Sequence, residues 1–257
     1  MISPKLRLLN ALKKDQPTFG TFMALKGMRA AQIVAHTGLD AVIIDREHGY
    51  IGDSDMHDMV SAVASAGASP IVRIRGPTGP LIKRALDTGA HGLLVPMVNT
   101  AADARSIVSF AKFPPMGIRG QGSAFPCFEQ GFDTPSAYVA KANESTLTMI
   151  QIESIEGLNN VDEICQVDGV DLIFIGPNDL SLALLGYAPA KYTEAVFLDA
   201  IEKINKTAKK YGKKTGILAS NGEHARRAKK DFDFVAIGTD VRAMQSWYGT
   251  ELKVAKV

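Results

Sequence analysis

Short apolar runs alternate with amphipathic stretches along almost the whole chain. The runs are continuous instead of alternating apolar with polar residues, which is typical of parallel strands covered on both faces. Eight such runs are present, at 19–24, 41–45, 70–74, 92–96, 147–152, 171–175, 215–219 and 233–237. Helical periodicity follows each run, at 28–37, 53–66, 78–88, 100–112, 154–166, 191–211, 222–230 and near 240–254.

This order predicts an α/β fold of the (β/α)8 TIM-barrel class, with a short extra helix at the N-terminus. The 257 residues match the usual size of that fold, and no linker rich in Pro, Gly or Ser interrupts them. We therefore expect a single domain spanning 1–257. The longest irregular stretch, 113–133, follows the fourth unit, and we expect it on the face of the barrel that carries the active site.

Composition narrows the function classes. The chain has 29 basic and 27 acidic residues and a net charge of +2, which gives no strong field and argues against a nucleic-acid partner. Its two cysteines cannot build a disulfide framework, and no run is long enough for a membrane span or shaped like a secretory signal. We expect a cytoplasmic protein that does not bind membranes.

Two acids follow predicted strands in the second half of the chain. Glu153 closes the run LTMIQIES, and Asp179 lies just past DLIFI in GPNDLS. The carboxyl ends of parallel neighbours meet at one rim, with strands ~4.8 Å apart, so the two side chains should converge. Two oxygen ligands suit a hard divalent ion. Taken singly, Asp179 could be a helix cap and Glu153 a surface acid in a first helical turn.

The second and third strands bring further polar groups to the same rim. The second strand ends in IIDREHG, which contributes Asp45, Glu47 and His48. The third carries Arg73 and Arg75, of which we expect one to point into the barrel mouth. Burying an arginine there is costly unless it is paired, and an oxyanion is a natural partner. Arg73 is the preferred inner residue.

Other catalytic strategies lack their residues. No predicted strand carries the interior lysine that imine-forming aldolases need, because Lys83 falls in a helix and Lys214 lies before a strand, at the opposite end of the barrel. Nor does the chain contain GxGxxG, GxxxxGK[ST] or GxSxG. Covalent imine catalysis, dinucleotide binding and serine hydrolysis are therefore disfavoured.

Seven segments together resemble the HpcH/HpaI aldolase/citrate lyase family, and within it the metal-dependent (class II) pyruvate aldolases that act on 4-hydroxy-2-oxo acids. They stand in the family's order and cover almost the whole chain. The segments are IIDREHG, IVRIR, LIKRALDTGAHGLLVPMV, FPPMGIRGQGS, IQIES, GVDLIFIGPNDLS and GILASN.

The resemblance implies catalytic roles for four residues. Arg73 matches the arginine that holds the keto oxygen and stabilises the enolate. His48 matches the histidine that acts through water as acid and base on the 4-hydroxyl group. Asp45 and Asp87 match acids associated with that histidine, and which of the two orients it is left open.

The resemblance also implies ligands. Glu153 and Asp179 match the two metal-binding carboxylates, for Mg²⁺ or Mn²⁺ with Co²⁺ or Zn²⁺ as alternatives. The amides from Gly176 to Asn178, which precede a short helix at Asp179, fit the substrate carboxylate, since helix N-termini attract anions. The substrate-binding set is Gln151, Gly176, Pro177, Asn178 and Leu218.

The implied activity is that of a carbon–carbon lyase (aldehyde-lyase). It would cleave a 4-hydroxy-2-oxo acid reversibly, a dicarboxylic one from sugar-acid or aromatic catabolism, to pyruvate and an aldehyde through a metal-stabilised enolate. The chemistry of the residues agrees, since a Lewis acid, a fixed cation and a base near neutral pKa are what such a cleavage needs. The resemblance further implies a homo-oligomer, often a hexamer, with helices exchanged near the C-terminus.

Two other hypotheses stay open. Oxaloacetate decarboxylation, or a related bond-forming reaction, would use the same enolate, while a non-catalytic barrel could merely bind a keto acid. Three departures from relatives should set the aldehyde partner: Arg46, which should add bulk and charge beside the site, Phe22 in the first strand, and the 113–133 segment.

Overall fold

The computed structural model describes residues 3–189 and 191–257. Eight parallel strands close into a barrel in chain order, with β8 pairing back to β1. The strands are β1 (Thr18–Met23), β2 (Ala41–Asp45), β3 (Ser69–Arg73), β4 (Gly92–Val95), β5 (Leu147–Ile152), β6 (Leu172–Ile175), β7 (Lys214–Ala219) and β8 (Phe234–Thr239). The predicted fold class is confirmed.

Helices surround the barrel and one precedes it. From the N-terminus these are α1 (Arg7–Leu12), α2 (Met28–Ala35), α3 (Asp53–Ser65), α4 (Gly79–Leu86), α5 (Ala101–Ala111), α6 (Phe125–Gln130) and α7 (Pro135–Ser145). After β5 come α8 (Ile155–Asn159), α9 (Val161–Cys165), α10 (Pro177–Leu185), α11 (Ala195–Lys210), α12 (Gly222–Ala228) and α13 (Asp240–Ala255). No helix in the described part of the chain is both long and apolar enough to cross a bilayer.

The segment between β4 and β5 differs from the expectation. It contains α6 inside the stretch predicted to be irregular, and α7, which was not predicted. Its placement on the active face was wrong, because it follows a helix and not a strand, and connections from helix to strand lie at the amino end of a barrel. Gln130 donates from Nε2 to the carbonyl of Ala90, just before β4, at 3.0 Å. Likewise, the single helix predicted at 154–166 is two short ones, α8 and α9.

Alternate residues of each strand fill the barrel interior. Ala41 and Ile43 of β2, Ile71 of β3 and Met149 of β5 belong to one buried cluster that also contains the leucines of α1. Leu8, Leu9 and Leu12 thereby close the amino end of the barrel. Because side chains alternate along a strand, the next inward position toward the carboxyl end is Asp45 on β2 and Arg73 on β3.

The C-terminal helix α13 contrasts with the other long helices, because it buries none of its side chains. Its start is tied to the barrel through Asp240, whose carboxylate accepts hydrogen bonds from the amides of Ala24 and Leu25, both at 3.0 Å. Beyond that anchor, large apolar side chains are exposed, including Met244, Trp247, Tyr248 and Leu252.

Candidate active site

Asp45 and Arg73 form the centre of the barrel mouth. They close β2 and β3 and are partners in the strand register. Arg73 donates from Nε to Asp45 Oδ1 at 2.9 Å and from Nη2 to Oδ2 at 2.5 Å, a two-pronged pairing of two buried groups. Arg75 lies past the end of the strand and donates outside the mouth, to the carbonyl of Arg46 at 3.0 Å. Arg73 is thus the inner arginine.

The guanidinium of Arg73 is held on further sides. Its Cζ lies 4.8 Å from the ring centroid of Phe22, so the aromatic face supports the cation. Its Nη1 is 3.2 Å from Glu47 Oε2 and 3.5 Å from Gln151 Oε1. These contacts keep a fixed positive charge in the mouth, and they place Phe22 and Gln151 beside it.

Glu153 follows β5 and is almost completely buried. Its Oε1 accepts from the Met97 amide at 2.8 Å and its Oε2 from Gln151 Nε2 at 2.7 Å. Burial raises the pKa of Glu153 to about 7, and the negative charges of Asp179 and Glu47 add to that rise against the opposing Met97 bond. The carboxylate is therefore short of positive charge.

Met97 adopts an unusual backbone to make that bond. Its φ is 54°, in the left-handed region that side chains other than glycine rarely occupy. The strain is located at the residue whose amide holds Glu153, as strained residues often are at functional sites. No sequence signal in PMVNT marks this conformation.

Gly176 brings the end of β6 against Glu153. A Cβ added to Gly176 would lie 1.9 Å from Glu153 Oε2, so the position admits no side chain. Helix α10 then begins at Pro177, with Gly176 as its cap and the exposed Asp179 in its first turn. The expectation that the amides from Gly176 to Asn178 precede the helix needs correction, because Pro177 and Asn178 belong to the first turn and proline has no N–H.

Three of the predicted substrate-binding residues share one cavity. Pro177, Asn178 and Leu218 line a space of about 400 Å³ between the starts of α10 and α13. Tyr192 lies on the same wall and donates from its hydroxyl to Asn178 Oδ1 at 2.5 Å. The cavity thus opens beside the turn that carries Asp179.

His48 lies at the rim with its side chain 64% exposed. The nearest carboxylate is that of Glu47, whose Oε2 is 3.7 Å from His48 Nε2. Asp45 Oδ1 accepts instead from the backbone amides of Glu47 and His48, at 3.0 and 3.2 Å. The sequence placed Glu47 at this rim but gave it no role. Burial raises the pKa of Glu47, and Arg73 and His48 oppose that rise.

Asp87 does not lie beside His48 in the protomer, because it follows the end of α4. It caps the end of α4, and its Oδ1 is 3.5 Å from Arg119 Nη2, while its carbonyl accepts from the Ser123 hydroxyl at 2.7 Å. In the structure of residues 3–189 and 191–257, no hydrogen bond or ion pair joins Asp87 to His48. Its association with the histidine stays a prediction.

Arg46 does not add charge beside the site, contrary to expectation. Since Asp45 at the end of β2 points inward, the residue that follows it points outward, and Arg46 is buried toward α3. Its Nη2 is 2.5 Å from Asp53 Oδ1, and its Nε donates to the Ile51 carbonyl at 3.4 Å. Arg46 therefore ties the β2–α3 loop to the start of α3.

The donor set fits a hard divalent cation. Glu153 and Asp179 would hold it, since two carboxylates with water or substrate oxygens are a usual environment for Mg²⁺. The raised pKa of Glu153 reports negative charge that a bound cation would offset. Across the described residues no group of three or more His, Cys, Asp or Glu side chains has metal-site spacing, so the remaining ligands would be water or substrate.

Comparison with known proteins identifies the family of the chain. The model of the HpcH/HpaI aldolase/citrate lyase family matches residues 18–246. The chain belongs to this family. It is similar to the hydroxypyruvate/pyruvate aldolase of Rhizorhabdus wittichii, which is 36% identical over 235 residues, covering 91% of this chain and 92% of that protein.

Two further relatives extend the likeness. The 4-hydroxy-2-oxo-heptane-1,7-dioate aldolase of Salmonella arizonae is 36% identical over 254 residues, covering 96% of this chain and 95% of that protein. The crystal structure of an HpcH/HpaI aldolase/citrate lyase family protein from Burkholderia cenocepacia J2315 superposes with a TM-score of 0.88 at 28% identity, over 97% of this chain and 99% of that one. The resemblance seen in the sequence is confirmed.

Proposed function

We propose that the protein is a divalent-metal-dependent aldolase that cleaves a 4-hydroxy-2-oxo acid reversibly to pyruvate and an aldehyde. The observation that carries the proposal is the pairing of Arg73 with Asp45 at the same barrel rim as Glu153, a buried carboxylate whose raised pKa indicates too little positive charge around it. The activities named for the relatives, which are all carbon–carbon lyases of the aldolase type, support the same reaction class.

Each group has a distinct task in this reaction. A divalent ion held by Glu153 and Asp179, most simply Mg²⁺ or Mn²⁺, would supply Lewis-acid polarisation of the 2-oxo group. Arg73 places fixed positive charge where the enolate oxygen develops, and Asp45 keeps the guanidinium in that position. His48 takes the proton of the 4-hydroxyl group during cleavage and returns it during condensation.

The start of α10 and the cavity beside it would receive the 2-oxo acid. The first turn of a nine-residue helix offers free backbone N–H groups and a favourable dipole to a carboxylate. Gly176 and Asn178 would supply these donors, Pro177 would shape the turn without donating, and Leu218 would form an apolar wall. Gln151 would link Arg73 to Glu153.

The exposed face of α13 supports assembly as a homo-oligomer. The helix buries nothing in its own protomer and exposes Trp247, Tyr248 and Leu252, an apolar face that a second copy of the chain would cover. Light scattering should give a multiple of the protomer mass, and Trp247→Glu with Leu252→Glu should reduce it. A monomeric parent protein would contradict this part of the proposal.

A cytoplasmic location fits the two cysteines, which are both buried and unpaired.

A pyruvate-release screen tests the function. Purified protein is incubated with 4-hydroxy-2-oxo acids, dicarboxylic ones included, in Mg²⁺, Mn²⁺ or excess chelator, and oxaloacetate is run in parallel. We expect metal-dependent pyruvate release, which Arg73→Ala and His48→Ala reduce to background. Full activity in chelator, or unchanged kinetics in both variants, would contradict the proposal. Preference for oxaloacetate over every aldol would identify a decarboxylase instead.

A further inference from the structure

The cavity beside α10 extends from the barrel mouth to the start of α13. Leu218 lines it from β7 and packs against the cluster that fills the barrel interior. Asn178, in the helical turn that carries Asp179, lines it from α10. Arg242 and Gln245, about one turn apart on α13, line it from the C-terminal helix. The cavity therefore joins the candidate metal site to a cationic side chain to which the sequence gave no role.

The start of α13 fixes the backbone of Arg242 at the cavity. Its amide donates to the Thr239 hydroxyl at 3.1 Å, and the carboxylate of Asp240 ties the same turn to the barrel through the amides of Ala24 and Leu25. Both oxygens of Asp240 accept from backbone amides, and neither is paired with the guanidinium of Arg242. The backbone is thus anchored, while the side chain of Arg242 stays exposed.

Arg242 also lacks the partners that hold the other arginines of this rim. Arg73 pairs with Asp45, and Arg75 donates to a backbone carbonyl. Within the protomer, over the described ranges 3–189 and 191–257, the guanidinium of Arg242 has neither a hydrogen bond nor an ion pair. Its donors are therefore available to an anion that enters the cavity.

The phenol of Tyr192 shows that Arg242 and the candidate metal site are close to each other. Burial raises the pKa of Tyr192, the Ser181 hydroxyl and the positive charge of Arg242 oppose that rise, and the negative charge of Asp179 adds to it. The Tyr192 hydroxyl itself donates to Asn178 on the cavity wall. Because both charges act on one hydroxyl group, a single small substrate can contact both ends of the cavity.

We propose that Arg242 is a specificity-determining residue, which selects an aldehyde partner that carries an anionic group at its far end. The inference rests on the proposed function and adds the chemical class of the second substrate. With the 2-oxo acid held at the barrel mouth, the aldehyde extends into the cavity, and its carboxylate or phosphate meets the guanidinium. Arginine binds both groups through two parallel charge-assisted hydrogen bonds.

The contact is one of binding and not of chemistry. The far end of the aldehyde takes no part in the bond that forms or breaks, so its interaction with Arg242 is the same in the ground state and the transition state. Such uniform binding lowers KM without raising kcat. The effect of Arg242 should therefore fall on the KM of the charged aldehyde.

Condensation of pyruvate with paired aldehydes tests the proposal on the metal-loaded enzyme. The first pair is 4-oxobutanoate and its methyl ester, which keeps the carbon chain and loses the charge, and the second is glyceraldehyde 3-phosphate and glyceraldehyde. We expect the parent to prefer the charged member of at least one pair by about tenfold in kcat/KM, and that pair identifies the anion as carboxylate or phosphate.

Substitutions then assign the preference to the arginine. Arg242→Gln should bring the ratio of charged to neutral aldehyde close to one by raising the KM of the charged member. Arg242→Lys should keep part of the preference, because the charge remains and the two-pronged geometry is lost. Arg226→Gln, at an exposed arginine of α12, is the matched control and should leave the ratio as in the parent.

A parent without preference for either charged aldehyde, or a preference that Arg242→Gln leaves intact, would overturn the proposal. So would an equal loss for charged and neutral aldehydes with a raised KM for pyruvate, since Arg242 would then bind the pyruvate carboxylate. A changed mass of Arg242→Gln in light scattering would make Arg242 an interface residue instead. Metal-dependent deuterium exchange into pyruvate needs no aldehyde, so its absence in the parent overturns the proposed function, whereas exchange without a charge preference overturns this inference alone.

Discussion

The two ends of the barrel bury charge in opposite ways. At the amino end, Lys112 is 1% exposed and its ammonium donates to the carbonyls of Asn143 and Thr146 at 3.0 and 2.8 Å, with Asp171 at 3.7 Å. At the carboxyl end, Glu153 accepts from one backbone N–H and from the side-chain amide of Gln151, and the nearby charged groups include the carboxylates of Asp179 and Glu47. The first arrangement satisfies a buried charge from within the chain, whereas the second leaves one that a cation from outside can complete.

His91 extends the pattern at the amino end. Its ring lies 3.1 Å from the Ser69 hydroxyl and 3.0 Å from the carbonyl of Glu129, and burial lowers its pKa to about 4. The imidazole is therefore kept neutral as a structural link between β3, β4 and α6. We infer that buried titratable groups at this end serve stability, and those at the other end serve chemistry at a cost in stability.

Removing the carboxylate at the carboxyl end should have the largest effect. Glu153→Gln keeps the shape of the side chain but removes the charge that holds the cation, so kcat/KM should fall by about 10³-fold or more at saturating Mg²⁺. Steady-state pyruvate release measures this. Retention of activity within a few fold would show that the two ends do not differ as described.

Removing the buried cation at the amino end should lower stability and leave activity unchanged. Lys112→Met leaves two carbonyls without their donor and Asp171 without its ion-pair partner, and we expect the free energy of unfolding to fall by about 3 kcal/mol. The kcat of the folded enzyme should equal that of the parent. Urea denaturation and steady-state kinetics on one preparation test both halves, and a loss of kcat in fully folded protein would contradict the separation.

The pH dependence of stability should also differ between the ends. The folded-state pKa of Glu153, about 7, lies above its ordinary 4.5, so its contribution to the unfolding free energy falls as pH rises from 4.5 to 7, by about 3 kcal/mol. For His91 the folded-state pKa of about 4 lies below 6.5, so its contribution is lost as pH falls through that window. The metal-free parent and the variants Glu153→Gln and His91→Gln are unfolded in urea across pH 4 to 8. The difference in unfolding free energy between each variant and the parent should change with pH in opposite directions for the two variants.

Strain at Met97 gives the smallest expected effect. Because its φ is positive, Met97→Gly should be more stable than Met97→Ala by about 1 kcal/mol, although both remove the same exposed side chain. Thermal unfolding of the two variants measures the difference. Equal stabilities would show that the Glu153 bond carries no backbone strain.

The sequence predicts the barrel well because its strands are buried on both faces. The bounds of β2 and β5 agree with the predicted 41–45 and 147–152, since each apolar run stops at or just before an acid. The inward direction of Asp45 then follows from strand alternation. Arg46 was misjudged because its motif was considered without that alternation, which turns it toward Asp53.

Other features depend on contacts that no local pattern encodes. The 113–133 segment was assigned to the wrong end because its length suggested function, whereas its position is set by following α5. The conformation of Met97 and the closeness of Gly176 to Glu153 arise where separate strands meet. The position of Glu47 beside His48 likewise depends on how the loop after β2 is held by Asp45.

Exchange of the methyl protons of pyruvate with deuterium, followed by NMR in Mg²⁺, tests the central claim most directly. It reports enolate formation at the carboxyl end without assuming any aldehyde. The account predicts exchange in the parent enzyme that excess chelator abolishes and that Arg73→Ala and Glu153→Gln each reduce by about 10²-fold or more, while Lys112→Met leaves it unchanged. Exchange that persists in chelator, or that survives both substitutions at the barrel mouth, would contradict it.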